Sequence, residues 1–349
     1  MPIACYRLFA AAWILLAVLG GPLALAQEDR LPNEITSAQS LNTAQQERID
    51  RFVQRWSDVL LEGSDREVGD ARAALVQPVR SAISDVFLDR YAIAIRNELS
   101  AALDARRMIT RLNAMIVAST LGGRGVDSII VNGLDDPAAS VRYWAAQAVV
   151  EVAEARAQGR EVSPNVIRDV LEGLEQLVTN EDSAYVLEPA LRAAVRINDP
   201  AGDALFLDKL ADRLSAHAAE PMLEYDAIRS AWPQLLQRAF SNNNTQLVRR
   251  SAQLAAQYFT LITGQLTGGA LGAEPPQSHL DMLDFAQQTL TNAYKSLGAE
   301  GAVPNSNEVQ RAISNGNWDE LAVAADRWVA ALKRSPFNFS DADLAVPGG

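Results

Sequence analysis

The chain has 349 residues and a formal charge of −12, from 31 basic and 43 acidic side chains. That length buries a sizeable core, and an acidic balance without a basic block argues against non-specific binding to nucleic-acid phosphates. Apolar residues make up 48% and aromatics 6%, and the apolar share is dominated by Ala and Leu, which lose little entropy in a helix and so point away from strands.

Residues 1–26 read as a secretory signal. Arg7 gives a short positive start, Leu8 to Leu19 an apolar run and Gly20-Gly21-Pro22 a break. Ala24-Leu25-Ala26 then supplies the small-x-small pattern that signal peptidase accepts. The alternative is an uncleaved anchor, since Leu8 to Ala26 approaches spanning length; the Gly-Gly-Pro break favours cleavage. A membrane would enter only through this segment, and only if it stays uncleaved. Cys5 is the single cysteine and precedes the apolar run, so cleavage leaves a mature chain without disulfide or thiolate chemistry. Cleavage also removes Arg7 and no acid, making the mature charge one unit more negative. The expectation is a bacterial protein exported to the periplasm or cell envelope.

In the mature chain, residues 27–40 are polar, contain Pro32 and show no period, which reads as a flexible lead-in. A helical domain is expected over 41–336. Thr43 with Gln46 reads as a capping box, and Ile49, Phe52, Val53, Trp56, Val59 and Leu60 follow at three- and four-residue steps, one face of a helix. Ser64 with Glu67 reads as a second box, with Val68, Ala71 and Leu75 inward and Pro78 ending or kinking that helix. Ile83, Val86 and Phe87 lead into a segment running toward Leu103. Asp136-Pro137, Ser163-Pro164 and Asp199-Pro200 each set a capping side chain before a proline, which suits a first helical position. Ile167, Val170, Leu171, Leu174, Leu177 and Val178 mark the inward stripe after Ser163-Pro164. Further helices are predicted near 182–197, 201–217, 221–240 (kinked at Pro233), 245–265, 277–297 and 317–334. Residues 267–276 form an internal loop and 337–349 a polar tail.

The run from Gly133 to Val149 contains Asp136, Pro137, Val141, Arg142, Ala145 and Ala148. It resembles the second-helix signature of a HEAT repeat, in which an Asp-Pro turn enters a helix bearing Val-Arg and then small residues. The resemblance covers about 108–153. Val186, Ala190 and Ala193 repeat the spacing with Leu187 in place of Arg; Val248, Arg249, Ala252 and Ala255 repeat it without an Asp-Pro turn. It implies an all-α fold, an irregular α-α superhelix built from HEAT-like helical hairpins, with Asp136, Pro137, Val141, Arg142 and Ala145 in structural roles. A bundle with one such hairpin is the alternative.

No motif assigns chemistry. His217 and His279 lack metal-ligand spacing, and each reads as a capping or surface residue at a helix end. The Gly-rich stretches near 122–125 and 268–272 lack the Gly-Lys-Ser/Thr ending of a phosphate cradle. No catalytic residue, metal ligand or cofactor site is assigned. Arg249, Arg250 and Tyr258 are a candidate anion or peptide site on a concave face, although Arg249 also fits the structural role of Arg142. Trp318, Leu321, Ala325, Trp328 and Leu332 read as the buried stripe of a capping helix. The function expected is a non-enzymatic scaffold binding a protein or peptide partner at the envelope. The alternatives are a structural envelope component without a groove, or a helical enzyme acting on polysaccharide or peptidoglycan.

Overall fold

The computed structural model describes residues 30–219, 228–229, 231–272, 274–301 and 303–346. The signal segment lies outside the described residues. Within them all regular structure is helical, and no helix is long and apolar enough to cross a membrane. The chain divides into two compact units, Met1–Ala155 and Arg156–Gly349.

The first unit holds α1 (Asn33–Thr36), α2 (Thr43–Glu62), α3 (Asp65–Ser81), α4 (Asp85–Leu103), α5 (Met108–Leu121), α6 (Asp127–Leu134) and most of α7 (Ala139–Ala157). Here α2 packs on α3 and α4, α3 on α5, and α4 on α5 and α6. Contact with the next helix and the next but one is the pattern that stacked helical hairpins make. Between them lie Ile49, Leu60, Leu75, Phe87, Tyr91 and Ile95, all fully buried. Each such apolar side chain contributes about 1.5–3 kcal/mol by leaving water. The Tyr91 hydroxyl donates to the Leu75 carbonyl at 2.8 Å, so its burial leaves no polar atom unsatisfied.

The second unit holds α8 (Pro164–Asn180), α9 (Ala184–Arg196), α10 (Pro200–Ala219), α11 (Trp232–Ser241), α12 (Thr245–Thr267), α13 (Gln277–Ser296), α14 (Ser306–Asn315), α15 (Trp318–Leu332) and α16 (Asp341–Leu344). The long α12 is its axis, packing on α10, α11, α13, α15 and α16. Its buried face carries Ala252, Leu254, Ala255, Tyr258, Phe259 and Ile262. Of the stripe expected on α15, Leu321, Ala325, Trp328 and Leu332 are buried and Trp318 is half-buried; the Trp328 indole N–H donates to Gln287.

Several local readings need correction. The first capping box is Asn42 with Gln45, whose reciprocal bonds are 2.9 and 3.0 Å, one residue before Thr43; the Ser64–Glu67 box forms as read. Pro78 does not end its helix, because α3 runs on to Ser81. Ile83 and Val86 face water, and Phe87 alone of that trio turns inward. Pro233 lies in the first turn of α11, where its missing N–H is harmless; residues 220–227 and 230 of the longer helix expected there lie outside the described residues. The lead-in is ordered from residue 30: Leu31 and Ile35 are buried and α1 packs on α3 and α4. The tail is also docked, with Phe337 fully buried and Leu344 nearly so. In both terminal segments a few apolar residues, spaced too irregularly to register as a period, anchor an otherwise polar stretch.

Candidate functional site

A groove of about 720 Å³ lies along α8 and α10. On α8 the wall residues include Pro164, Ile167, Leu171, Glu175 and Val178; on α10 they include Ala201, Ala204, Leu205, Asp208 and Asp212. These positions recur at three- and four-residue steps, so each wall is one face of one helix. At 1.5 Å rise per residue the α8 wall extends about 21 Å and the α10 wall about 16 Å. Gly202 lets α10 lie close against α9, beside the α8 wall. A Cβ placed there would collide with the backbone carbonyl of Ala194 on α9 and lie 3.4 Å from Leu171 Cδ2.

The floor is apolar and the rim is negative. Ile167 and Val178 are buried at the base, with Leu171 and Leu205 half-buried above them. The three cations that reach the groove are already engaged. Arg168 pairs with Asp169 at 2.7 Å and Glu172 at 3.8 Å. Arg156 donates to the Ile197 carbonyl at 3.0 Å, and the Lys209 ammonium to the Glu181 carbonyl at 3.3 Å. Burial, followed by the neighbouring Arg213 charge, pushes the Lys209 pKa down. Glu175 and Asp208 are exposed and form no ion pair among the described residues.

A second cavity of about 520 Å³ lies across α10, between it, the start of α12 and the C-terminal segment, and it shares Ala204 and Asp208 with the groove. Arg249 and Arg250 both line it. The Arg249 guanidinium donates to the carbonyls of Pro336 and Phe337 and lies 5.3 Å from the centre of the Phe339 ring. Arg250 donates to Gln253 Oε1 at 2.9 Å. Gln253 and Gln257 hold the carbonyls of Asp343 and Ala345. The α12 face therefore clasps the chain's own C-terminal segment. Tyr258 does not join the two arginines: it is fully buried, its hydroxyl donates to the Leu210 carbonyl at 3.2 Å, and burial pushes its pKa up. The supposed trio therefore splits because Tyr258 lies on the core side of α12.

The repeat-signature residues form a structural turn in the first unit. The Asp136 carboxylate accepts from the Ala138 N–H at 2.8 Å and is gripped by Arg111 through two bonds, of 2.7 and 3.2 Å. Arg142 donates to the carbonyls of Asp136 and Pro137; Val141 and Ala145 are fully buried. Arg249 likewise fastens backbone carbonyls, so the Val-Arg pairs at 141–142 and 248–249 do comparable work.

The two histidines are not surface caps. α10 packs on α12 and α12 on α13, which brings the His217 and His279 rings to 5.2 Å, both buried. His217 Nε2 lies 2.8 Å from Gln265 Oε1, which can only accept. Burial lowers both pKa values, that of His279 to about 4 with the His217 charge adding to the effect. Among the described residues no group of three His, Cys, Asp or Glu side chains is placed to hold a metal ion.

No protein-family model matches the chain, and no curated protein sequence matches it. Similarity to solved structures includes two engineered proteins known from crystal structures. One is 14% identical at a TM-score of 0.36, covering 78% of this chain and 98% of its own. The other is 15% identical at 0.35, covering 86% and 94%. Likeness at that level carries nothing about function.

The groove has a signal in the sequence. The apolar arc of α8 is wider than its core needs: Val170, Leu174 and Leu177 fill the interior, while Leu171 is left half-buried on the groove side.

Proposed function

We propose that this chain is an exported, non-enzymatic helical scaffold of HEAT-like hairpins that docks a protein or peptide partner at the bacterial cell envelope. The observation that carries the reading is the groove between α8 and α10, with an apolar floor between charged rims on two regular helices. Side chains fixed on helices present a preformed surface, which lowers the ordering cost of binding. The signal-like segment 1–26 supports export, since its charged start, apolar run and small-x-small end follow the secretory order.

The test is capture from an envelope fraction with residues 27–349 as bait, in parallel with a Leu205→Asp bait of the same helicity. A protein held saturably by the first bait and lost from the second supports docking in the groove. Equal recovery on both baits, or none on either, overturns it and favours the structural-component reading.

A further inference from the structure

From the same groove we infer the partner's chemistry: it takes a cationic amphipathic helix of about three turns, apolar side chains down and Lys or Arg along its edges. The inference rests on the docking reading above and adds what the groove selects.

Length comes from the walls. Both helices contribute lining residues over at least Ala201 to Asp212 on α10 and the facing part of α8, a shared run of about 16 Å. A helix of that length has about eleven residues and offers three or four apolar side chains on one face, the usual way an amphipathic helix seats in a groove. Leu171 and Leu205, half-buried on opposite walls, are the surfaces such side chains would cover.

Sign comes from the bookkeeping of charges. The lining carries Arg156, Arg168 and Lys209 against Glu172, Glu175, Asp199, Asp208 and Asp212, so it is net negative. Arg168 is paired with carboxylates, while Arg156 and Lys209 are tied to backbone carbonyls and keep their charge. The exposed carboxylates of Glu175 on α8 and Asp208 on α10 stand without an ion pair among the described residues, and Asp212 continues the α10 edge. An acidic segment would set like charges against both rims; a basic one finds carboxylates on each side. Complementary charge of this kind sets partner choice and association rate more than total affinity.

The experiment uses residues 27–349 and three fluorescent peptides of about twelve residues: a Leu-Lys amphipathic helix, a Leu-Glu helix of the same apolar pattern, and a scrambled Leu-Lys sequence with no apolar face. Binding is read by fluorescence anisotropy at physiological salt. The Leu-Lys helix is expected to bind saturably and the other two not. Glu175→Lys with Asp208→Lys should weaken it about tenfold. Glu62→Lys with Asp70→Lys, an equal charge change on exposed residues of the first unit, should change it less than about twofold. If both pairs weaken binding alike, or the scrambled peptide binds as well, the attraction is non-specific and the inference falls. Should the Leu-Glu helix bind instead, and Leu205→Asp abolish that, the cationic partner is wrong while the docking groove stands. If Leu205→Asp leaves every bound peptide unaffected, the groove reading falls as well.

Discussion

Replacing one glycine by alanine should have opposite effects at two helical positions of the second unit. At Gly264, in α12, nothing lies within 4 Å of an added Cβ. Alanine there removes the backbone-entropy penalty of glycine and should stabilise by about 0.5–1 kcal/mol. At Gly202, in α10, the same gain is opposed by collision with the Ala194 carbonyl, whose carbon would be only 3.1 Å away. Overpacking against a side-chain tip can relax, but a backbone carbonyl inside α9 cannot move without shifting the helix. The upper part of the usual range, about 3 kcal/mol, therefore applies. The net loss at Gly202→Ala is about 2 kcal/mol, so the two variants should differ by about 3 kcal/mol. Urea titration followed by far-UV circular dichroism measures both, with the midpoints compared at a common slope. A Gly202→Ala protein as stable as Gly264→Ala would show that α9 and α10 do not approach as described, and the geometry of the groove wall would have to be redrawn.

Acid should weaken the second unit through its histidine pair. His279 has a folded-state pKa of about 4, below the ordinary value near 6.5. The unfolded chain therefore binds the extra proton first, and stability is lost as pH falls from about 6.5 to 4, by up to about 3 kcal/mol. The urea midpoint of His279→Phe should accordingly fall less than that of the native chain between neutral pH and pH near 4.5; parallel falls would refute the assignment. Phe337→Ala should cost about 3–5 kcal/mol, since the ring is fully buried and stacked on Tyr294 at 6.1 Å. A free polar tail would register no change in the same titration.

Much of the fold was legible because burial here follows helical period. Val68, Ala71 and Leu75 are buried as their spacing required, and Ser163-Pro164 opens α8 as its chemistry dictates. Residues whose role depends on distant partners were not legible. His217 and His279 are 62 positions apart, and only packing across α12 makes them neighbours. Leu31, Ile35, Phe337 and Leu344 are buried by segments too short to show a period. The site was half legible: Arg249 and Arg250 do line a cavity, but Tyr258 falls on the opposite side of the same helix. The groove needs α8 and α10 together, and no single-helix pattern reports a space between two helices.

The clasp at the C-terminus also fixes how the protein can be handled. The chain has three lysines; Lys209 is buried, whereas Lys295 and Lys333 are exposed and line neither cavity. Amine-reactive labels or sensor chips would therefore attach at two side chains and the amino terminus, leaving the groove residues unmodified. Lys333 caps α15 and pairs with Asp341 on the clasped segment. A lysine-specific protease cutting there would release residues 334–349, a fragment told by mass from the one a cut at the exposed Lys295 would give, so the rate of the Lys333 cut reports how often the clasped segment comes loose.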